Sequence, residues 1–235
     1  AISMKLRDPG HDIQVIERNS PDNTFGWGVV ISDATIQNLR DNDPESAQEI
    51  LDSFAHWDDI DVHFKGTTIT SGGHGFCGIA RSRMLDILQR RAAALGIPIK
   101  FETEVASLEP YLGYDLVVAA DGFNSRVREA YADKFQASVD ERENRFIWLG
   151  THHKFDAFTF IFIETDHGWV WAHAYRFDDD TCTFIVEMSE DTWQAVGLGE
   201  MPIIEGVAWC ENLFADYLGG DKLLSHVNVA AEMNP

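Results

Sequence analysis

Four apolar, aromatic-rich segments, FIWLGT, AFTFIFIET, WVWAHAYRF and CTFIVEM, follow one another between residues 146 and 188 with only turn-forming residues between them. Parallel neighbours need a long crossover, whereas strands joined by turns pair antiparallel. Residues 141–235 are therefore expected to form an antiparallel sheet, followed by two helices around DTWQAV and PIIEGVAWCENLFADYL. So many aromatic side chains could line a pocket for a flat ligand, or be an ordinary core face.

The first 140 residues have a different texture. DIQVIE (12–17), IPIKFE (97–102) and YDLVVAA (114–120) read as strands. The last is a continuous apolar run of the kind buried on both faces of a parallel sheet. AISMKL resembles the end of a helix closed by the Asp8-Pro9-Gly10 turn cluster. SDATIQNLR and DPESAQEILDSF each open on a helix-capping Ser or Asp. VHFKGTTITSG reads as a hairpin, FCGIA as a short strand, and RSRMLDILQRRAAAL as a helix stopped by Gly96. Strands alternating with helices define an α/β domain. The expected architecture is α/β: a truncated Rossmann-like domain over residues 1–140, and a mainly antiparallel sheet with helices over 141–235.

Composition narrows the function. Thirty-nine acidic residues against 18 Lys and Arg give a formal net charge of −21, and no basic run offsets it. Such a surface repels nucleic-acid phosphates and anionic membranes, so neither is an expected partner. The longest apolar runs fall short of the roughly 18 residues that a membrane span needs. Cys77, Cys182 and Cys210 are odd in number and far apart, against a disulfide framework or zinc site and in keeping with a reducing compartment. Cytoplasm is the expected location, and no metal ligands are assigned. Asp58, Asp59 and Asp61 with His63 lack the Gly and terminal Glu of a calcium loop, and His152 and His153, adjacent on a strand, point to opposite faces.

One literal GxGxxG occurs, from Gly73 to Gly78. The strand TTITS before it is polar and alternating, unlike the buried first strand of a dinucleotide fold, and FCGIA delays the helix to Arg81. A hairpin or loop is the better reading, and an NAD(P)-dependent Rossmann oxidoreductase built on this loop is the rival. DIQVIE ends in Glu17 and Arg18, as does a second Rossmann strand whose acid holds a ribose; the glycine loop would then precede Ala1. The alternative is a surface acid at a strand end.

YDLVVAADGFNSRVREAY then places Asp121 and Gly122 where a strand ends, with Ser125 able to cap the helix carrying Arg126 and Arg128. This segment resembles the Asp-Gly motif, DGxxSxxR, of the FAD-dependent aromatic hydroxylases, the single-component flavoprotein monooxygenases; Asp121, Gly122, Ser125 and Arg128 match it. In that frame Glu17, followed by Arg18, matches the acid on the adenosine ribose. FGWGVV (25–30) matches the stretch passing near the flavin, with Gly26 and Gly28 allowing backbone approach. Arg81 matches an arginine lying along the cofactor, although Met84 replaces the usual first leucine of its helix.

WDDIDVHFKGTTITSGGHGF, RFIWLGT, FDAFTF, HAY and TFIVEM narrow the resemblance to the branch that includes salicylyl-CoA 5-hydroxylase and a tryptophan-derivative hydroxylase of violacein synthesis. The CoA-thioester side is the nearer. The amino-terminal GxGxxG and the later Gly-Asp motif have no counterparts here, so the chain resembles a fragment of such an enzyme. The resemblance implies FAD reduced by NAD(P)H, a flavin C4a-hydroperoxide, and hydroxylation of an aromatic small molecule or aryl-CoA substrate. The resemblance also implies a base that deprotonates a phenol to activate the ring. His173 and Tyr175, on one face of one strand, are the candidates; the alternative for each is a structural histidine and a core tyrosine. A third reading is a cofactor-free folded fragment that self-associates through an exposed sheet edge.

Overall fold

Residues 1–24 and 26–225 are described by the computed structural model. Helix α1 (Ile2–Arg7) leads to strand β1 (Val15–Ile16). Strand β2 (Gly28–Ser32) precedes helices α2 (Asp33–Asn42) and α3 (Pro44–Leu51). Ser32 caps α2, its Oγ accepting the Thr35 N–H at 3.4 Å. Asp43 stands at the N-cap of α3, but its carboxylate instead accepts from the Ser46 hydroxyl at 2.5 Å and from the Arg91 guanidinium at 3.0–3.2 Å.

Strands β3 (Ala55–Trp57), β4 (Ile60–Phe64), β5 (Thr67–Ser71) and β6 (Phe76–Ala80) follow, then helix α4 (Arg81–Ala94) and strand β7 (Ile99–Lys100). β2, β6 and β3 form a three-stranded antiparallel sheet whose Ile79 packs with Ile50 of α3 and Ile87 of α4. Short helices α5 (Arg126–Ala130) and α6 (Ala132–Phe135) come next.

Strands β8 (Arg145–Thr151), β9 (Phe158–Thr165), β10 (Gly168–Arg176) and β11 (Cys182–Met188) pair antiparallel, as their short connections require. Helices α7 (Glu190–Val196) and α8 (Ile203–Leu213) and a two-residue strand β12 (Leu223–Leu224) complete the described chain. The resulting sheet has seven strands in the order β12-β8-β11-β10-β9-β4-β5. The hairpin from residues 60–71 joins it through a parallel pairing of β4 with β9. One face carries Leu149, Ile161, Val170, Ala172, Ala174, Phe184, Val186 and Met188, all buried against Val207 and Cys210 of α8 and Phe214 just after it. The small Ala172 and Ala174 leave room on this face for Phe184 and Phe214, whose rings meet edge to face at 5.3 Å. Among the described residues no helix is long and apolar enough to cross a membrane.

Two expectations need correction. YDLVVAA is not a strand: it runs along the surface, with Leu116 and Val118 exposed at 62% and 72%. An extended segment becomes a strand only when a neighbour takes its backbone N–H and C=O groups. Among the described residues no strand pairs with it. For the same reason DIQVIE and IPIKFE contract to the two-residue parallel pair β1–β7, Val15 opposite Ile99 and Ile16 opposite Lys100.

The packing difference is measurable. Phe184→Ala should cost about 3–5 kcal/mol, because its ring is fully buried against Phe155 and Phe214. Val118→Ala should change stability by less than about 0.5 kcal/mol. Urea unfolding of both variants checks the contrast, and a large loss at Val118 would mean that its segment is packed.

Candidate active site

The other face of the seven-stranded sheet is lined with aromatic side chains. Alternation along β10 puts Trp171, His173 and Tyr175 on this face, opposite to Ala172 and Ala174. The ladder places Phe160 and Phe162 of β9 beside His173 and Trp171, and Ile185 and Glu187 of β11 on their other side. Trp148 of β8 follows beyond Ile185, and Gly150 beyond Thr183.

The glycine-containing segment ahead of β2 lies against one end of this face. The Gly28 N–H donates to the Thr183 hydroxyl at 3.1 Å, and the Tyr175 hydroxyl donates to the Gly28 carbonyl at 3.0 Å. A Cβ on Gly28 would fall 2.2 Å from the Phe177 Cβ. Gly26 has φ +79°, and a Cβ there would fall 2.6 Å from the Trp148 ring. Only glycine allows this approach. Phe25, which belongs to the same sequence motif, lies outside the described residues.

Arg81 opens α4 beside this segment. Its backbone N–H donates to the Trp27 carbonyl at 3.1 Å, and its guanidinium stands 5.8 Å from the centre of the Trp148 ring, within cation–π range. Trp57 stacks on Tyr175 at 6.3 Å. The indole N–H groups of Trp57 and Trp148 are buried with no hydrogen-bond acceptor among the described residues. Buried donors of this kind ordinarily have a partner.

His173 stands between Phe158 and Phe160, 6.0 and 5.9 Å from their ring centres, and its Nδ1 is 3.3 Å from a Glu187 carboxylate oxygen. Burial holds the ring below the ordinary histidine value of 6.5, and the Glu187 carboxylate works in the opposite direction without overcoming it. His173 is thus neutral near pH 7. Burial raises the Tyr175 phenol above its ordinary value, with Thr183 and Arg81 opposing, and its proton is already committed to Gly28.

The remaining sequence candidates form a second group. Glu17 directly follows β1 and is half-buried, its Oε1 accepting the Asn19 N–H at 2.8 Å, and Arg18 is exposed. The Glu17 carbonyl accepts the Thr103 N–H at 3.0 Å, and neighbouring Glu104 pairs with Arg126 of α5 at 2.9 Å. That chain of contacts ties β1 to the Asp-Gly motif. Ser125 caps α5 by accepting the Arg128 N–H at 3.0 Å, and its hydroxyl donates to Asp121 at 2.6 Å. The Ser125 hydroxyl, aided by backbone N–H groups, holds the Asp121 carboxyl below its ordinary range. Arg128 turns back to the Phe123 carbonyl at 2.5 Å. Gly122 has φ +84° with open space where a side chain would begin. A cleft of about 530 Å³ here is lined by Val117, Val118, Asp121, Gly122, Ser125 and Arg128, among others.

The structure therefore joins Gly26, Gly28, Arg81, His173 and Tyr175 at the aromatic face, and Asp121, Gly122 and Arg128 near Glu17. Sequence reasoning missed Glu187, Trp148 and Trp57; period-two alternation could have put Glu187 on the His173 face only once the strand register was known. It also missed that Asp33, His56 and Cys77, from three elements, bring one potential ligand atom each within 4.8 Å of one another. The Gly73–Gly78 motif spans the β5–β6 connection and part of β6, and α4 starts only at Arg81. No helix N-terminus opens inside it to receive a pyrophosphate.

No protein-family model matches the chain. It is 40% identical over 198 residues to a salicyloyl-CoA 5-hydroxylase of a Streptomyces species, covering 84% of this chain and 38% of that protein. It is 33% identical over 218 residues to the 3-hydroxy-4-methyl-anthranilyl-[aryl-carrier protein] 5-monooxygenase of Streptosporangium sibiricum, covering 92% of this chain and 57% of the relative. The chain thus spans less than two thirds of either relative's length.

In structure it is similar to p-nitrophenol 4-monooxygenase PnpA of Pseudomonas putida, with a TM-score of 0.72 at 14% identity, over 95% of this chain and 62% of PnpA. It is also similar to PqsL of Pseudomonas aeruginosa, described as "a probable FAD-dependent monooxygenase", with a TM-score of 0.61 at 15% identity, over 84% of this chain and 58% of PqsL. The fold is that of the FAD-dependent hydroxylases. The chain is a homologue of the two monooxygenases that it matches in sequence.

Two outcomes test the geometry. Gly28→Ala should destabilise the fold by about 1–3 kcal/mol through overpacking, read by thermal unfolding. His173 has a folded-state value below its unfolded one, so its neutral form contributes stability that is intact above pH 6.5 and lost as pH falls through the lower, folded value. His173→Asn should flatten that acid dependence between about pH 8 and about pH 5. Equal slopes in both proteins would show that His173 is not desolvated.

Proposed function

We propose that the protein carrying this chain is an FAD-dependent monooxygenase that hydroxylates a phenolic ring held as a thioester, on CoA or on a carrier protein. The observation that carries this reading is the glycine segment pinned against an aromatic face that also presents a neutral histidine. An electron-rich ring fits between aromatic walls, and a neutral imidazole suits a proton acceptor at pH 7.

The residues present fit a flavin. Gly122 leaves open space beside a left-handed backbone, and the Trp57 and Trp148 indoles offer buried donors without acceptors. Asp121, Gly122 and Arg128 would hold the cofactor at the cleft, Glu17 with Arg18 would meet its ribose, and Gly26, Gly28 and Arg81 would border its ring. FAD, reduced by NAD(P)H, would activate molecular oxygen, one atom of which goes to the ring while the other leaves as water. The chain's own residues do the rest. The aromatic face orients the ring and excludes water, Tyr175 keeps the glycine segment in place, and His173 accepts the phenol proton.

Residues 1–140 would contribute most of the flavin side, and the sheet of strands β8 to β12, which the β4–β5 hairpin extends, the substrate side. The relatives' names, one a CoA-thioester enzyme and one acting on an aryl-carrier protein, support a thioester substrate. Three buried free thiols are compatible with a cytoplasmic location.

The full-length protein should purify with FAD and couple NAD(P)H oxidation to hydroxylation of salicyloyl-CoA, with free salicylate turned over at least about tenfold more slowly. Gly122→Val should lower the bound flavin, because its φ of +84° is strained for a β-branched residue. A wild-type protein that retains no flavin at micromolar FAD would sink the proposal.

A further inference from the structure

The pairing of Glu187 with His173 has no role in core packing. It lies on the open aromatic face, where the two side chains are 19% and 29% exposed for His173 and Glu187 respectively. Core salt bridges of a buried kind are costly to form, so a half-open pair at the centre of an aromatic wall needs another reason. Phe158 and Phe160 offer the imidazole no hydrogen-bonding atom, and Ile185 opposite it on β11 offers none either. Among the described residues, Nδ1 meets Glu187 and Nε2 has no hydrogen-bond partner.

We propose that Glu187 is a positioning residue. Its carboxylate charge, 3.3 Å from Nδ1, holds the proton of neutral His173 on that nitrogen and so leaves Nε2 unprotonated, as the acceptor for a substrate phenol. In a neutral imidazole, the partner of one ring nitrogen decides which nitrogen carries the proton. When the phenol binds, its O–H bond breaks, an Nε2–H bond forms, and the products are a phenolate and an imidazolium, with no change of oxidation state. The Glu187 carboxylate stabilises that imidazolium, and the phenolate makes the ring more electron-rich for oxygen transfer. The titratable and charged groups near His173 are Glu187 from β11 and Tyr175 on its own strand, with Arg81 of α4 acting on Tyr175. The Tyr175 proton is held by Gly28, which leaves Glu187 to set the imidazole. This inference rests on the monooxygenase reading for its substrate, but the pairing itself does not.

The test uses the full-length holoenzyme and the variants Glu187→Gln and Glu187→Asp. Imidazole ¹⁵N shifts of His173, measured at a pH above its titration, should show the Nδ1–H tautomer in the wild type and a shift toward Nε2–H in Glu187→Gln. With salicyloyl-CoA as the probe, Glu187→Gln should lose about tenfold or more in hydroxylation. The acid limb of its kcat/KM profile should move to lower pH, because the imidazolium has lost its carboxylate. Flavin content and the rate of flavin reduction should stay unchanged, and Glu187→Asp should recover part of the loss. An unchanged tautomer, or an unchanged acid limb with a changed tautomer, overturns the assignment. A wild type that holds the Nδ1–H tautomer yet hydroxylates no phenol supports the pairing and overturns the monooxygenase reading instead.

Discussion

Two hydrogen bonds at Gly28 hold the two parts of the molecule in one arrangement. The backbone N–H and C=O of that residue are buried, and a buried peptide group without partners costs a few kcal/mol. Thr183 from β11 and Tyr175 from β10 satisfy them. Because both partners lie on the antiparallel sheet, the glycine segment cannot drift from the aromatic face without exposing those groups unpaired. The absence of a side chain at Gly26 and Gly28 then becomes a requirement, since Trp148 and Phe177 occupy the space where one would go.

The two faces of the sheet are covered differently. Ala172 and Ala174 of β10 sit under helical cover, so Trp171, His173 and Tyr175 take the other face, where Tyr175 is buried against Gly28 and Trp57. Burial there does chemical as well as structural work. It keeps His173 neutral and raises the Tyr175 phenol. The same desolvation thus gives one residue an available lone pair and leaves the other as a hydrogen-bond donor to the backbone.

The proposed thioester substrate is anionic, whereas the chain carries a formal net charge of −21. The reconciliation is local. Arg81 stands over Trp148 at the aromatic face, and Arg128 caps its own turn at the Asp-Gly motif. Long-range repulsion by the rest of the surface is screened within about 8 Å at physiological salt.

Much of the fold is legible without coordinates. The four strands from residue 145 to 188, the helix starting at Arg81 and the caps at Ser32 and Ser125 are all local, set by side-chain period and capping chemistry. Those signals determined the fold class, the two textures of the chain and the positions of the motif residues. Local signals cannot supply a neighbour. YDLVVAA has the composition of a buried strand but lies exposed, because strand formation depends on a partner's backbone, and none among the described residues stands beside it. The joining of the 60–71 hairpin to the later sheet, the seating of Gly28 between Thr183 and Tyr175, and the meeting of His173 with Glu187 are likewise decided only by tertiary structure. Each depends on register and approach between segments distant in the chain, which one-dimensional periodicity does not contain.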